Sequence, residues 1–335
     1  MNEKIKEMTT GRALVGFFCP IALMILLILI GADMTIGMIA ALFRLSLYAI
    51  YMGHSWEEIE KSMSGGVAQI GTSAAVMLFV GCMVAVWIAC GTIPTLLYYG
   101  LQIISPKWFL PICFILPAFM AVCTGTSWGA VSTIGVVLCG MASGLGINIG
   151  LAAGAVISGA YFGDKMSPLS DTTLLAAAST EVSVFEHIAS MMYTTVPTTV
   201  ICLVIYTVLG LSASGNIDTA AIAEMTGGMA ANFKISVLNL LPILIVLVMS
   251  VKRVPALLTF GAGIGSAMIW AMVYQGVSFT ALLGNLMSGF SIDTGIASVN
   301  TLLNRGGLNG MLGLIGIMIF CGMFSGLLGD LKVTH

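Results

Sequence analysis

Leu14-Val-Gly-Phe-Phe-Cys-Pro20-Ile-Ala-Leu-Met-Ile-Leu-Leu-Ile-Leu-Ile30 carries no charged side chain. Lipid offers no partner to a backbone amide, so a run of this kind is satisfied only as a helix, and about 20 such residues cross a bilayer. Lys4, Lys6 and Arg12 precede it. That order also opens a secretory signal, but Pro20 interrupts the run, no A-x-A cleavage site follows, and further apolar runs do. The segment reads as a first membrane helix, with the basic N-terminus in the cytoplasm by the positive-inside rule.

Working outward, uninterrupted apolar runs recur at 13–32, 34–53, 70–92, 187–211, 235–251, 256–275 and 307–329, with 279–290 too short to span alone. Of the 335 residues, 59% are hydrophobic and 8% charged, and the mean hydropathy is +1.07. An ordinary soluble chain is about 25% charged. These values predict an all-α, polytopic helical membrane protein, one transmembrane domain over 1–335 with roughly nine or ten helices. The net charge of −2 supplies no basic field for nucleic acid, and no soluble domain remains to host enzyme chemistry or a cofactor. Eight cysteines fall inside apolar runs without C-x-x-C spacing and read as small buried hydrophobes. Charges at Glu57, Glu58, Glu60, Lys61, Asp218, Glu224, Lys252 and Arg253 read as solvated loops.

Between 94 and 180 the pattern changes. Pro94, Pro106, Pro111, Pro117, the run Gly125 to Gly129 and Pro168 cut the sequence into pieces that read as broken helices. Breaks at membrane depth survive where freed backbone groups line a cavity or face protein, and in transporters they mark binding sites. Gly140-x-x-x-Gly144, Gly146-x-x-x-Gly150 and Gly159-x-x-x-Gly163 fit close helix packing. Gly125-Thr126-Ser127-Trp128-Gly129 brings hydroxyls to the glycines and is read as part of a site.

One segment concentrates ionisable groups in this setting: Ser158-Gly-Ala-Tyr-Phe-Gly-Asp164-Lys165-Met-Ser167-Pro168-Leu-Ser170-Asp171-Thr172-Thr173. Hard cations bind oxygen, and a helix interrupted at Pro168 can point carbonyls inward beside Asp164 and Asp171. Lys165 is positioned to neutralise Asp164 in an empty site; the competing reading is a loop whose Asp and Ser residues cap two helices. A carboxylate that trades a cation for a proton must titrate about three units above the usual Asp value of about 3.9. Burial or a second carboxylate supplies such a shift. Asp171, with hydroxyls on either side and no adjacent lysine, is the expected shared ligand, and Asp164 its partner. Arg44 interrupts the second apolar run and is either an internal counter-charge, the first to examine for an organic anion, or a snorkelling side chain. Asp293 reads as a loop residue, and the isolated histidines make a metal site improbable.

A weak repeat places Gly65, Gly66, Phe79 and Gly81 on Gly306, Gly307, Phe320 and Gly322, suggesting a first repeat over 13–180 and a partial second over 235–335.

At Gly91-Thr-Ile-Pro94-Thr-Leu-Leu-Tyr-Tyr-Gly100, Thr124-Gly-Thr-Ser-Trp-Gly129 and the long segment 158–173, the sequence resembles the NhaC family of bacterial sodium/proton antiporters. The resemblance extends from about residue 10 to the C-terminus. It implies a multi-pass secondary transporter of the cytoplasmic membrane, exchanging sodium ions for protons, with some relatives coupling exchange to organic acids or amino acids. It implies that Thr126, Ser127, Asp164, Ser167, Asp171 and Thr172 form the ion path, with Ser170, Thr173, Lys165 and Arg44 secondary. Family members run on for another acid-containing segment, so the chain is expected to be C-terminally truncated. A homodimer, a missing second half, or a non-transporting membrane protein is the corresponding expectation, with residues 124–173 beside an open polar groove.

Overall fold

The computed structural model describes residues 9–103, 105–125, 127–168, 170, 172–173, 176–177, 182–213, 219–252 and 254–331. Among them every regular element is helical. In order these are α1 (Thr10–Leu29), α2 (Met34–Met52), α3 (Trp56–Ala89), α4 (Thr92–Ile103), α5 (Pro106–Thr124), α6 (Ser127–Ala130), a π turn (Val131–Gly135), α7 (Val136–Gly144) and α8 (Ile149–Met166). There follow α9 (Val184–Ala213), α10 (Thr219–Asn232), a 3-10 turn (Val237–Leu240), α11 (Leu241–Val251), α12 (Ala256–Trp270), a π turn (Ala271–Gln275), α13 (Phe279–Ser288), α14 (Ala297–Leu303) and α15 (Gly307–Asp330). Five helices are long and apolar enough to cross a membrane, or up to seven when each of two bent pairs counts as one span. The chain is thus an all-α, multi-pass integral membrane protein.

Three readings need correction. Glu57, Glu58, Glu60 and Lys61 lie in the first turns of α3 and Glu224 lies in α10, not in loops, while Asp218 and Arg253 fall outside the described residues. Ser55 starts the helix: its Oγ accepts the Glu58 amide at 3.3 Å, and its own amide donates to the Glu58 carboxylate at 3.0 Å, a reciprocal cap. Ser183 and Glu186 do the same for α9. Pro111 and Pro117 do not break α5, which runs through both; one lost ladder bond is tolerated where neighbouring helices pack around the freed carbonyl. Gly146 and Gly150 are not a packing stripe, because Gly146 has open space around it and supplies a left-handed turn at φ +67°.

The chain packs as two units, residues 1–78 with 310–335, and 79–309. In the first, Leu45, Tyr48, Ala49 and Met52 of α2 form a core with Ile59 of α3 and Leu327 and Leu328 of α15. Helices α3 and α15 meet at backbone distance, since a Cβ on Gly66 would overlap the Gly322 carbonyl. In the second unit the dominant contact joins α5 to α8.

Candidate ion site at the ends of α5 and α8

Helix α8 lies against α5 through glycine. A Cβ at Gly159 would overlap the Phe114 carbonyl, and one at Gly163 the Ala118 carbonyl. One turn on, Ser167 Oγ donates to Val122 O at 2.8 Å. The residue offset is the same in all three pairs, so the helices run parallel and their C-termini end side by side. Helix α5 stops at Gly125, left-handed at φ +70°, and the chain restarts as α6 at Ser127. Two helix C-termini therefore end close together, and the partial negative charge of helix C-termini favours a cation.

The helix α9 fixes how deep this spot lies. It runs antiparallel to α5, with Gly210 close against the Lys107 carbonyl and Tyr206 ring-packed on Phe114 at 6.3 Å. That register brings Gly125 level with about Tyr193, and α9 continues to Val184, roughly 13 Å farther at 1.5 Å per residue. Helix α9 thus continues past the level of the break.

Asp164 occupies the last turn of α8 and is 8% exposed. Ala160, one turn earlier on the same side, packs with Ala121 of α5 and Ala130 of α6, which puts Asp164 on the side of α8 that faces the α5–α6 break. Among the described residues its carboxylate has no hydrogen-bond or ion-pair partner. Lys165 is exposed and makes no ion pair with Asp164 there; consecutive helix positions point about 100° apart. Ser127, Ser167, Ser170 and Thr173 are all buried. Thr173 Oγ1 lies 3.3 Å from both Asp164 O and Lys165 O, closing the end of α8, and Ser170 Oγ lies 2.9 Å from Thr172 Oγ1. Thr172 is exposed. Thr126 and Asp171 fall outside the described residues, and Arg44 belongs to the other unit.

Among the described residues no three of His, Cys, Asp and Glu cluster. Among the described residues the donors at this spot are carbonyls, hydroxyls and one carboxylate, the oxygen set of a hard monovalent or divalent cation. Asp293, as expected, is a loop residue: it accepts from Gly295 N at 3.0 Å and Asn300 Nδ2 at 2.9 Å, and the Gly295 bond first, then Asn300, holds its carboxyl below the usual range.

A second polar knot was missed in the sequence. Asn239, 0% exposed, lies in the 3-10 turn between α10 and α11, where the chain bends by 87°. Its Nδ2 donates to Thr95 Oγ1 at 2.9 Å and Lys234 O at 2.8 Å, its Oδ1 accepts from Trp270 Nε1 at 3.0 Å, and Thr92 Oγ1 donates to its carbonyl. Gln275 joins in, donating to Lys234 O at 3.2 Å and accepting the Lys234 amide at 3.1 Å. The sequence signal was a single amide in an apolar run. Every side-chain hydrogen of Asn239 is used, so this knot braces three helix breaks and leaves nothing for a ligand.

Apolar helices of spanning length, two parallel helix ends meeting at a break, and a buried carboxylate among hydroxyls define a membrane protein with the framework of a secondary transporter. Residues 3–175 and 159–335 match the Na+/H+ antiporter family, to which the chain belongs. It is 38% identical to the malate-2H+/Na+-lactate antiporter of Bacillus subtilis over 87% of this chain and 62% of that protein. It is 37% identical to the arginine/ornithine antiporter ArcD of Halobacterium salinarum, over 93% and 66%. With the Na+/H+ antiporter NhaC of Alkalihalophilus pseudofirmus the identity is 36%, over 98% and 71%. The chain thus spans about two thirds of the length of these relatives. No solved structure matches.

Proposed function

We propose that the protein exchanges sodium ions for protons across the cytoplasmic membrane, N-terminus in the cytoplasm, with Asp164 the group that holds either ion. The observation that carries this reading is Asp164, 8% exposed in the last turn of α8 and without a side-chain partner among the described residues, beside the paired C-termini of α5 and α8. An ionised carboxylate so enclosed costs free energy unless a proton or a cation accompanies it. Proton and sodium therefore compete for one negative charge, and exposure of that charge to alternate sides exchanges them. Ser127, Ser167 and the α5 carbonyls complete the oxygen set, and the sequence neighbours Thr126 and Asp171 are further candidates. The division into halves at 13–180 and 235–335 belongs to the same proposal.

The test uses everted vesicles with a pH-sensitive dye. A sodium pulse should collapse the imposed proton gradient, and Asp164→Asn should abolish the response. Undiminished sodium-dependent exchange in that variant rejects the assignment. Similarity to the malate/lactate and arginine/ornithine antiporters favours a second reading, coupled exchange of an organic acid or amino acid. Under it, sodium alone does nothing until malate, lactate or an amino acid is added.

A further inference from the structure

Among the described lysines and arginines of the second unit, Lys107, Lys165, Lys234 and Lys252 are exposed, and Arg305 is half-buried. Arg305 stands in the short link between α14 and α15. Backbone contacts fix that link: the Phe290 amide donates to the Arg305 carbonyl at 3.1 Å, and a Cβ on Gly306, left-handed at φ +88°, would fall 2.7 Å from the Ala85 amide nitrogen of α3. On the guanidinium, Nη2 donates to Thr301 O at 2.9 Å and caps α14. The remaining N–H groups have no partner among the described residues, and no carboxylate pairs with them. Asp293, on the loop before α14, is already held by Gly295 and Asn300. Burial lowers the pKa of Arg305 from its ordinary value of 12.5, yet an arginine stays charged.

Leu302, one turn before Arg305, packs on α7, where a Cβ at Gly140 would meet it at 3.4 Å, and the next residue on α7, Cys139, is the ionisable group that acts on Arg305. The charge therefore lies at the junction of α14 and α7. Helices α7 and α8 run antiparallel about a short turn, with Gly135 against Val156; Cys139 lies on one side of that contact and Asp164 on the other. Arg305 and Asp164 are thus about 18 Å apart along the helices. The side chains around the junction are small or polar: Cys139 is half-buried, and Ser143, Thr301 and Asn304 are exposed. Polar groups of this kind suit a water-filled approach better than lipid. Capping α14 takes one hydrogen and leaves a planar edge with two parallel N–H groups, the fork that a carboxylate accepts. We propose that this free edge of Arg305 binds the carboxylate of a small organic acid, in a site separate from the cation site at Asp164. The proposal rests on the second reading of the function, exchange of an organic acid or amino acid, and supplies the anion anchor that the Asp164 carboxylate cannot be.

The test titrates malate, lactate, the neutral isostere lactamide and inorganic phosphate into the purified full chain. Two signals are read: thermal stability, and the rate at which N-ethylmaleimide alkylates Cys139, followed by peptide mass spectrometry. Malate or lactate should raise the melting temperature and slow alkylation of Cys139, leaving the exposed Cys321 of the first unit unchanged. Lactamide and phosphate should do neither. Arg305→Gln should weaken the effect of the acid about tenfold or more, with sodium affinity unchanged, and Arg305→Lys should recover part of it. If neither acid acts on the wild type, the proposal and the organic-acid reading fall together. If an acid stabilises the wild type but leaves Cys139 unprotected, or acts equally on Arg305→Gln, the Arg305 site is overturned while that reading stands. Protection by phosphate equal to that by the acids overturns the choice of ligand. Protection of Cys139 locates the site in the wild type, so the test holds even if Arg305→Gln fails to fold.

Discussion

Gly163→Ala tests the helix crossing on which the ion site rests. A Cβ there would overlap the Ala118 carbonyl, with the Ala118 carbonyl carbon and the Ala121 Cβ each at 2.9 Å. The first two obstacles are backbone and cannot rotate away, so α5 and α8 must part by roughly 1 Å near the ion site, an overpacking cost of about 1–3 kcal/mol. Ser167 lies one turn farther along, and stretching its bond to Val122 removes about 1 kcal/mol more. Alanine returns about 1 kcal/mol of helix propensity. The net loss is about 1–3 kcal/mol, and because the two C-termini separate, sodium affinity should fall as well. Gly154→Ala is the control, since its Cβ would meet only Tyr206 Oη at 3.5 Å and so keeps the propensity gain without the clash. Thermal unfolding in detergent and the sodium dependence of exchange in vesicles read both effects. Should Gly163→Ala melt no lower than Gly154→Ala with unchanged sodium affinity, the parallel α5–α8 contact is wrong.

Asn239→Ala leaves Trp270 Nε1 without its partner and removes one of the two bonds to Lys234 O, and should destabilise by about 1–3 kcal/mol, while the protein that still folds keeps its sodium affinity; a selective loss of affinity would make the knot part of the ion path. Ser55→Ala removes the N-cap of α3 and should cost about 1 kcal/mol in a melt, with Ser55→Asp near neutral. The Asp293 carboxyl titrates below its ordinary value of 3.8, so the bonds to Gly295 and Asn300 are fully present above that value and fade as pH falls through the lower, folded one. Hydrogen exchange at the Gly295 amide should accelerate on that acid side, and Asp293→Asn should abolish the pH dependence.

Helices α1, α2, α9, α12 and α15 were legible because an apolar run of spanning length has one satisfied conformation in lipid. Helix α5 was not, since its prolines carry the same local signal whether a neighbouring helix covers the freed carbonyl or not. The cap of α3 was legible and overlooked: Ser55-Trp-Glu-Glu58 has the spacing of a reciprocal cap, yet its charges drew a loop reading. Asp164 and Lys165 are adjacent and both charged in the sequence, and only the tertiary contact of Gly163 with α5 decides that one is enclosed and the other exposed. Asn239 escaped because one amide in a long apolar run has no periodicity, and its partners lie as far away as Thr95 and Trp270.

The two knots in the second unit separate frame from site. Each forms where helices end inside apolar surroundings, which frees carbonyls and amides that must be bonded again. At Asn239 the chain supplies both sides of every side-chain bond, so an arriving ligand could only displace bonds already made. At Asp164 the chain supplies an acceptor and, among the described residues, withholds the donor. A passing ion completes such a group and leaves it incomplete again on departure, the condition for binding that is reversible on both sides of a membrane. The sign of the charge follows from the same geometry. Two helix C-termini and a carboxylate present negative charge, the adjacent ammonium of Lys165 faces away, and a carboxylate substrate at this spot would meet repulsion. On the proposed reading, an organic acid moved by the protein would have its anionic group held by residues other than Asp164.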